Sequence, residues 1–454
     1  MTRPFTFRSS AAVALRDRTL REALGRAVDT ALAKRLDALN ELADVEDLRD
    51  QARSVRLEVV NNLQTYLQRF RTKAQAEGAV VYEAETPESA LRLVTDILRK
   101  RGLTRIVKAK SMVTEEIDLN EYLLGEGFSV VETDLGEYIV SLAGERPSHL
   151  TAPAIHKTRS QIGLLFEEKL GIPYTDNPET LTAIAREKLR GEFLAAHAGI
   201  TGVNFALADT GSIVLFTNEG NGRMCSVLPR VHIAVMSPEK VIPSLPDLDV
   251  FMKLLPRSAT GQALTTYLSV ITGPREDEEQ SEPDELHIVI VDNGRRQIAA
   301  SEYHEILTCI RCGACMNVCP VYRSVGGHAY GSTYPGPMGI ILSILLFGME
   351  KYHSLTDACT LCGACDEVCP VLVPISTLIA RLRRARNLAG FVPFSERMGM
   401  KSMGAAFQSP RLYRLAQQIV ASLHPLMGQK TQSPNLLGRL PTPGNPPFHG
   451  RFGR

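Results

Sequence analysis

Eight of the nine cysteines lie in two copies of one pattern, C-x2-C-x2-C-x3-C-P. The first copy runs from Cys309 to Pro320 and the second from Cys359 to Pro370. Three thiolates at this spacing can bind three irons of one [4Fe–4S] cube. The fourth cysteine, followed by a proline that stops the turn, points away and can bind the other cube. The pattern therefore predicts a protein that transfers electrons through two [4Fe–4S] clusters.

The repeated pattern also predicts which cysteines share a cluster. Because each fourth cysteine crosses over, every cluster takes three ligands from one copy and one from the other. The first predicted ligand set is Cys309, Cys312, Cys315 and Cys369. The second predicted ligand set is Cys359, Cys362, Cys365 and Cys319.

Zinc and disulfide bonds explain the pattern less well. Structural zinc prefers pairs of C-x2-C knuckles and has no use for a third cysteine at this spacing. Disulfide frameworks belong to small secreted domains, whereas this chain has 454 residues. The ninth cysteine, Cys225, is distant from the others in sequence, and we interpret it as a small buried hydrophobic residue.

The composition is that of an ordinary soluble protein with two to four domains: 44% of residues are hydrophobic and 22% are charged. No apolar run approaches the ~20 residues of a membrane span. The longest one, 338–348, is predicted to be a buried helix. The N-terminus is basic but lacks the apolar segment of a secretory signal. Together with oxygen-labile clusters, these features predict a cytoplasmic protein.

The net charge of +1 hides an asymmetry. Residues 371–454 contain twelve Lys or Arg and one acid, Glu396, so this segment carries +11 and the rest of the chain carries −10. Such a segment can bind an acidic partner, nucleic acid or an anionic membrane surface. It can equally neutralise the acidic surface and the cluster charge of its own chain. We expect no nucleic-acid partner, and we expect membrane contact, if any, to be peripheral.

Four regions are predicted along the chain. The first is helical, because apolar residues from Leu20 to Leu39 recur at three- and four-residue steps. The second alternates strands with helices, which predicts an α/β domain with a largely parallel sheet. Its acidic run 276–285 is interpreted as a solvated loop. The regions are a helical segment (1–75), an α/β domain (76–295), a helical dicluster ferredoxin domain (296–385), and a basic helical segment with a Pro/Gly-rich tail (386–454).

Short runs rich in β-branched residues mark the predicted strands, and two segments between them have helical periodicity. The predicted strands are 80–82, 105–107, 128–131, 212–216, 232–235, 267–270 and 287–291. The predicted helices are 87–101 and 178–196.

Polar residues near the strand ends are the candidates for ligand binding, because ligands of open α/β sheets bind at the carboxyl ends of strands. Lys108 or Arg223 could bind a carboxylate or a phosphate, and Glu219 or His232 could serve as an acid or a base. The Asn-Gly steps in these loops are also ordinary turn signals. No catalytic triad, P-loop or nucleotide-binding fingerprint is present, so the catalytic residues stay unknown.

Four stretches add a family resemblance. Residues 108–117, 132–138, 208–212 and 217–223, followed by the double cysteine pattern, resemble the lactate utilisation protein B family over nearly the whole chain. The resemblance implies a lactate-utilisation domain, similar to the ribose-5-phosphate isomerase and CoA-transferase-like fold, fused to a dicluster ferredoxin. It also implies a complex that oxidises L-lactate to pyruvate. The implied partners are a protein with CCG-type domains and a smaller protein with a lactate-utilisation domain.

Three functions stay open. The first is an electron-transfer subunit, because the chain has no flavin or nicotinamide fingerprint and the two-electron chemistry would then occur on a partner. The second is a stand-alone 2-hydroxy-acid oxidoreductase that binds its substrate in the α/β domain. The third is a scaffold in which the clusters are structural. Anaerobically purified chain with L-lactate and an artificial acceptor would separate the first two.

The crossed ligand sets give a testable prediction. The anaerobically purified chain should contain about eight irons and eight sulfides. Cys319→Ala should damage the cluster built on the second copy of the pattern, which iron analysis and electron paramagnetic resonance can follow. A loss confined to the cluster of the first copy would contradict crossed ligation.

Overall fold

The computed structural model describes residues 5–149, 152–274 and 284–428. The chain divides into two compact units, the first ending at Arg383 and the second beginning at Arg384. Most of the acidic run, residues 276–283, and the Pro/Gly-rich tail lie outside the described residues, so the predictions for them stay predictions.

Helices dominate the described residues. The α-helices are α1 (Phe7–Ala14), α2 (Arg18–Asn40), α3 (Val45–Asn61), α4 (Leu63–Ala76), α5 (Pro87–Lys100), α6 (Met112–Glu116), α7 (Leu119–Gly125), α8 (Leu135–Leu142), α9 (Arg159–Leu170), α10 (Pro178–Ala195), α11 (Asn221–Val227), α12 (Leu245–Ala259), α13 (Arg295–Ala299), α14 (Ala314–Val318), α15 (Pro320–Val325), α16 (Gly336–Phe347), α17 (Met349–Tyr352), α18 (Ala364–Glu367), α19 (Ile375–Leu388), α20 (Phe394–Gln408) and α21 (Pro410–Gly428). Short 3-10 helices cover Pro238–Lys240, His304–Thr308, His328–Tyr330 and His353–Ala358.

The strands form two sheets. They are β1 (Val80–Ala84), β2 (Arg105–Lys108), β3 (Ser129–Glu132), β4 (Ala198–Thr201), β5 (Phe205–Leu207), β6 (Ile213–Thr217), β7 (Val231–Met236), β8 (Val241–Ile242), β9 (Tyr267–Ile271) and β10 (Glu285–Val291). The main sheet has six parallel strands in the order β1-β10-β7-β4-β2-β3. The second sheet has the order β8-β5-β6-β9.

The main sheet is covered on both faces, as parallel sheets usually are. All six residues of β7 are buried, and so are six of the seven residues of β10. On one face these strands pack against apolar residues of α5 and α7, and on the other against α4. A capping box at Thr86 and Pro87 at the first helical position fix the start of α5. The predicted α/β domain with a parallel sheet is thus confirmed.

The second sheet corrects part of the prediction. β6 pairs antiparallel with both β5 and β9, and only β5 and β8 are parallel. Two predicted strands, 212–216 and 267–270, therefore lie outside the parallel sheet. The sequence analysis also missed β4, β5 and β8. β5 and β8 have only three and two residues, which is too short for a periodic signal, and β4 begins with Ala-Gly, which are weak strand formers.

Residues 7–76 form the predicted helices α1–α4. In α2 the apolar stripe is only partly buried, since Leu24 and Val28 are buried but Leu36 is 56% exposed. The helix at 338–348 is also confirmed: α16 is apolar all round and largely buried. No helix among the described residues is long and apolar enough to cross a membrane.

Three arginines of α2 and α3 attach the N-terminal helices to the end of the second cysteine pattern. Arg35 donates to the Val368 carbonyl at 2.9 Å, and Arg49 donates to the Cys369 carbonyl at 3.1 Å. Arg53 donates to the Leu372 carbonyl at 2.8 Å. These bonds satisfy carbonyls of an irregular segment that has no helix or strand partners.

The second unit contains most of the basic segment. Its described helices α20 and α21 pack on each other, and the rings of Phe407 and Tyr413 lie 5.8 Å apart. The domain boundaries predicted near residues 75, 295 and 385 stay predictions.

A buried ionic cluster joins three loops that leave the carboxyl ends of the main strands. Arg295, just after β10, binds Glu116 of α6 through two nitrogens. Its Nε lies 3.2 Å from Glu239, which follows β7. The three side chains are at most 1% exposed. Although burial opposes charge, Arg295 and Arg311 lower the pKa of Glu239 to about 2, so this carboxylate stays ionised.

Removal of Arg295 should therefore destabilise the α/β domain. Arg295→Met leaves Glu116 and Glu239 buried with one fewer cation, which should cost about 3–5 kcal/mol of the free energy of unfolding. Urea unfolding of the anaerobic protein, followed by circular dichroism, measures this loss. Arg146→Met is the control, because its ion pairs with Asp118 and Glu121 are exposed and should contribute little. Equal midpoints for the two variants would contradict the role of the cluster.

Candidate iron–sulfur centres and the adjoining cavity

The first cysteine pattern folds so that backbone N–H groups face sulfur. Arg311 has a left-handed backbone, with φ of 61°, and its N–H donates to the Cys309 sulfur at 3.4 Å. Gly313 follows with φ of 81° and begins the short helix α14. A left-handed conformation is unfavourable for a residue with a side chain, so the loop must be held in place by its surroundings.

The second pattern repeats this geometry. Leu361 has φ of 57°, and its N–H donates to the Cys359 sulfur at 3.3 Å. Gly363, with φ of 80°, precedes α18. Because the same two positions adopt the same backbone in both copies, the loop conformation belongs to the pattern and not to its side chains.

The fourth cysteine of each pattern also accepts hydrogen bonds. The Cys319 sulfur accepts from the Tyr322 N–H at 3.5 Å, and the Cys369 sulfur accepts from the Val373 N–H at 3.3 Å. Such N–H···S bonds stabilise thiolates and raise the potential of a bound cluster.

Thiol electrostatics shows which cysteines are neighbours. Burial raises the pKa of Cys312 to about 12, and the Cys369 sulfur adds to the effect. Burial likewise raises the pKa of Cys319, and here Cys359 and Cys362 contribute. Cys369 therefore lies beside the first pattern and Cys319 beside the second. Crossed ligation requires this arrangement, but the ligand sets themselves stay a prediction.

The residues fit cubanes better than single metal ions. Among residues 5–149, 152–274 and 284–428, no three His, Cys, Asp or Glu side chains are placed to hold one metal ion. A cubane needs a wider arrangement than zinc, because each of its four thiolates binds a different iron. The raised thiol pKa values mean that the cysteines must release protons when the clusters bind.

The two patterns differ in exposure and charge. Cys362 of the second pattern is exposed, whereas Cys312 and Cys315 of the first are buried. Beside the second pattern, the Asp366 carboxylate lies 3.6 Å from the Cys365 sulfur. Beside the first, the Arg311 guanidinium is 8% exposed and lies 3.1 Å from Glu239. A negative charge thus lies close to one set of cysteines and a buried cation close to the other.

Arg311 connects the first pattern to the ionic cluster of the α/β domain. Its guanidinium carbon lies 5.6 Å from the centre of the Tyr334 ring, and the Tyr334 hydroxyl donates to Glu116 at 2.6 Å. Arg56 of α3, also buried, donates to the carbonyls of Leu307 and Thr308 just before Cys309. The position of the first pattern is therefore fixed by buried cations from several parts of the chain.

A cavity of about 310 Å³ opens at the carboxyl ends of the main strands, next to the first pattern. Its walls include the loops after β2, β4 and β7, which is the usual ligand-binding place of an open α/β sheet. One wall is formed by residues 310–312, so the cavity reaches a predicted cluster ligand, Cys312. Its charged lining residues are Lys110, Asp134, Glu219, Lys240 and Arg311.

Two lysines of this cavity differ in their surroundings. Lys110 forms an ion pair of 2.8 Å with Glu137, whose pKa is raised to about 7 by burial. The backbone N–H of Lys240 donates to the Ser237 carbonyl at 3.1 Å, but its ammonium makes no hydrogen bond or ion pair with the described residues. Burial, together with the positive charge of Arg311, lowers the pKa of Lys240 to about 7. Lys240 can therefore change its protonation state near neutral pH.

The predicted anion-binding residues lie elsewhere. Lys108 does not line the cavity. It is fully buried between Glu132 and Glu115, which raise its pKa even though burial opposes the charge. Arg223 is exposed on α11 and does not line the cavity either. Their role in substrate binding stays a prediction, and their placement favours Lys110, Lys240 and Arg311 for the anion.

Of the two predicted acid–base residues, only Glu219 lies at the cavity. His232 lies inside β7, its Nε2 is 2.8 Å from the Thr201 hydroxyl, and burial lowers its pKa to about 3. It is therefore a neutral residue of the sheet. Glu219 lines the cavity and accepts a hydrogen bond from the Leu135 N–H at 3.0 Å, and burial and Asp134 raise its pKa. Cys225 is buried, as predicted, and hydrogen-bonds to Thr133.

The sequence analysis missed Lys240 as a site residue. Its only available signal was its position, five residues after a predicted strand, and many exposed lysines share that property. Arg311 lies between two predicted ligands of the first pattern, where the second pattern has Leu361, and nothing in the sequence predicts its contact with Glu239.

The buried charge of Arg311 should raise the potential of the first cluster. Arg311→Leu should lower that potential by on the order of 50–100 mV, because a unit charge within ~10 Å acts through an effective dielectric constant near 20. A redox titration followed by electron paramagnetic resonance measures the shift. Leu361→Arg places a charge at the matching, more exposed position of the second pattern. It should raise the potential of the second cluster, but by less than Arg311→Leu lowers that of the first. An unchanged potential in Arg311→Leu would show that this residue does not affect the first cluster.

Two family models match regions of this chain. The LUD domain matches residues 67–291, and the 4Fe-4S dicluster domain matches residues 305–373. The dicluster match supports two [4Fe–4S] clusters in this chain. A solved DUF162 family protein from Deinococcus radiodurans aligns with 50% of this chain and 98% of its own, at 16% identity and a TM-score of 0.29.

Curated relatives cover most of the chain. "Lactate utilization protein B" of Bacillus velezensis is 45% identical over 88% of this chain and 84% of its own length. The protein of that name from Bacillus subtilis has the same identity and coverage. An "uncharacterized electron transport protein" of Escherichia coli is also 45% identical, over 88% of this chain and 84% of its own. With its LUD domain, its dicluster domain and these relatives, the chain belongs to the lactate utilization protein B family.

Proposed function

We propose that this chain is the electron-transfer subunit of a complex that oxidises L-lactate to pyruvate. The observation that carries the proposal is the arrangement of eight cysteines in two neighbouring sets, one reaching a cavity and the other reaching the surface. The names of the curated relatives, which refer to lactate utilization and to electron transport, support it.

The ligand sets of this proposal are crossed. Cys309, Cys312, Cys315 and Cys369 would bind the first cluster, and Cys359, Cys362, Cys365 and Cys319 the second. The proximity of Cys369 to the first pattern and of Cys319 to the second supports these sets. When bound, the clusters supply one-electron transfer, which a two-electron oxidation requires if electrons leave one at a time.

The charged residues of this chain act differently on the two clusters. Arg311 and the N–H groups around the first set favour added negative charge there. Asp366 opposes added negative charge beside the second set. Since Cys312 lines the cavity and Cys362 is exposed, electrons would pass between the cavity side and a partner at the exposed side.

The partners belong to the proposal as well. They are a protein with CCG-type domains and a smaller protein with a lactate-utilisation domain, both in the cytoplasm. The basic segment 371–454 can bind an acidic surface of one of them. Peripheral membrane contact is the alternative role for this segment.

A second candidate function is a 2-hydroxy-acid oxidoreductase that acts without partners. The cavity favours it, because a ligand there would lie beside the first pattern. A scaffold with structural clusters has less support, since the exposed Cys362 places the second set where a redox partner can approach.

Reconstitution with the partners tests the proposal. The complex should reduce an artificial acceptor with L-lactate, whereas the purified chain alone should not. Cys315→Ser should abolish lactate-dependent turnover, because it removes a ligand of the first cluster. Cys225→Ala is the matched control and should keep full iron content and turnover, because this buried cysteine belongs to neither set. Turnover by the chain alone would favour the stand-alone enzyme, and clusters that cannot be reduced would favour the scaffold.

A further inference from the structure

We propose that the cavity beside the first cysteine pattern binds a short-chain carboxylate with an oxygen at C2, and that Lys240 and Arg311 hold its carboxylate. The inference deepens the proposed function and rests on it for the class of acid. It assigns the binding of the organic acid to this chain instead of to a partner.

Two cationic groups without complete partners carry the inference. Arg311 lines the cavity, and its Nη2 is paired with Glu239, but its Nη1 is buried and has no hydrogen-bond partner among the described residues. A buried guanidinium N–H without a partner is costly, and a bound carboxylate would satisfy it. The ammonium of Lys240, on the same cavity wall, also makes no hydrogen bond or ion pair within the described part of the chain.

The other charges of the cavity leave this end positive. Lys110 is already paired with Glu137, at 2.8 Å. Asp134 and Glu219 also line the cavity, but each already accepts a backbone N–H, from Glu137 and Leu135 respectively. An anion that enters would therefore bind at half-buried Lys240 and buried Arg311, where screening by water is weak and one guanidinium nitrogen is left over after the pairing with Glu239.

A neutral polar residue can donate a hydrogen bond to the C2 oxygen of the bound acid. Asn204 lines the cavity, and its side-chain oxygen accepts a hydrogen bond from the Phe216 N–H at 3.0 Å. This bond fixes the orientation of the amide, so its NH2 group is left to donate. A hydroxyl or carbonyl oxygen next to the carboxylate is the acceptor that such a donor would recognise. The volume of about 310 Å³ is enough for a small organic acid.

Removal of the Lys240 charge should leave the fold intact. Burial and Arg311 both oppose this charge, and no ion pair is lost when it is removed. Lys240→Met should therefore keep the iron content and the unfolding midpoint of the wild type. Lys240→Arg keeps the cation and should keep binding. Lys73→Met removes an exposed lysine of α4 and is the matched surface control.

Equilibrium dialysis of the anaerobic, cluster-loaded chain tests the proposal with L-lactate, pyruvate, propionate and lactamide. The wild type should bind L-lactate and pyruvate, bind propionate more weakly because it lacks the C2 oxygen, and not bind uncharged lactamide. Lys240→Met should weaken binding of both acids roughly 10- to 100-fold, the loss expected for one charged hydrogen bond. Bound acid should also change the electron paramagnetic resonance spectrum of the first cluster only.

Two outcomes would overturn the inference: no binding of either acid to the wild type, or equal binding by wild type and Lys240→Met. Neither affects the proposed function if the reconstituted complex still oxidises L-lactate with reducible clusters, since the acid would then bind to a partner. Loss of lactate-dependent turnover in the wild-type complex would instead contradict the proposed function, whatever the dialysis shows.

Discussion

The carboxylate of Glu239 is the constraint on which the rest of the structure depends. It is 1% exposed, and Arg295 and Arg311 lower its pKa to about 2 although burial opposes the charge. Arg295 ties it to the end of β10 and to Glu116, and Arg311 ties it to the first cysteine pattern. A buried charge of this kind tolerates few positions for its partners. The geometry of the cysteines is thereby coupled to the geometry of the sheet.

The buried arginines near the first cysteine pattern have an electrostatic role. Arg56 lies beside the first pattern and Arg311 lies within it. Burial acts to lower the pKa of each arginine, and the nearby Cys309 sulfur acts to raise it. Four thiolates and an iron–sulfur cube carry net negative charge, so cations placed here compensate a charge that arrives only with the cluster.

Sequence patterns predicted what depends on local spacing. The cysteine sets, the helices and the longer strands follow from periodicity and ligand geometry, and most of the main sheet was found in this way. The antiparallel pairing of the second sheet was missed because it depends on contacts between distant segments, and β5 and β8, with three and two residues, are too short to show a period. The cavity residue Lys240 was missed for the same reason. Its importance comes from burial beside Arg311, which is a property of the folded chain alone.

The arginines of α2 and α3 have a consequence for synthesis of the chain. The hydrogen bond of Arg35 cannot form until Val368, 333 residues later, has been synthesised. At the usual rates of translation this delay is on the order of half a minute. The contacts of α2, α3 and α4 with α12 and the sheets can therefore form long before the segment after the second pattern exists. The arginine bonds of α2 and α3 close the structure last, once the final cysteine has been made.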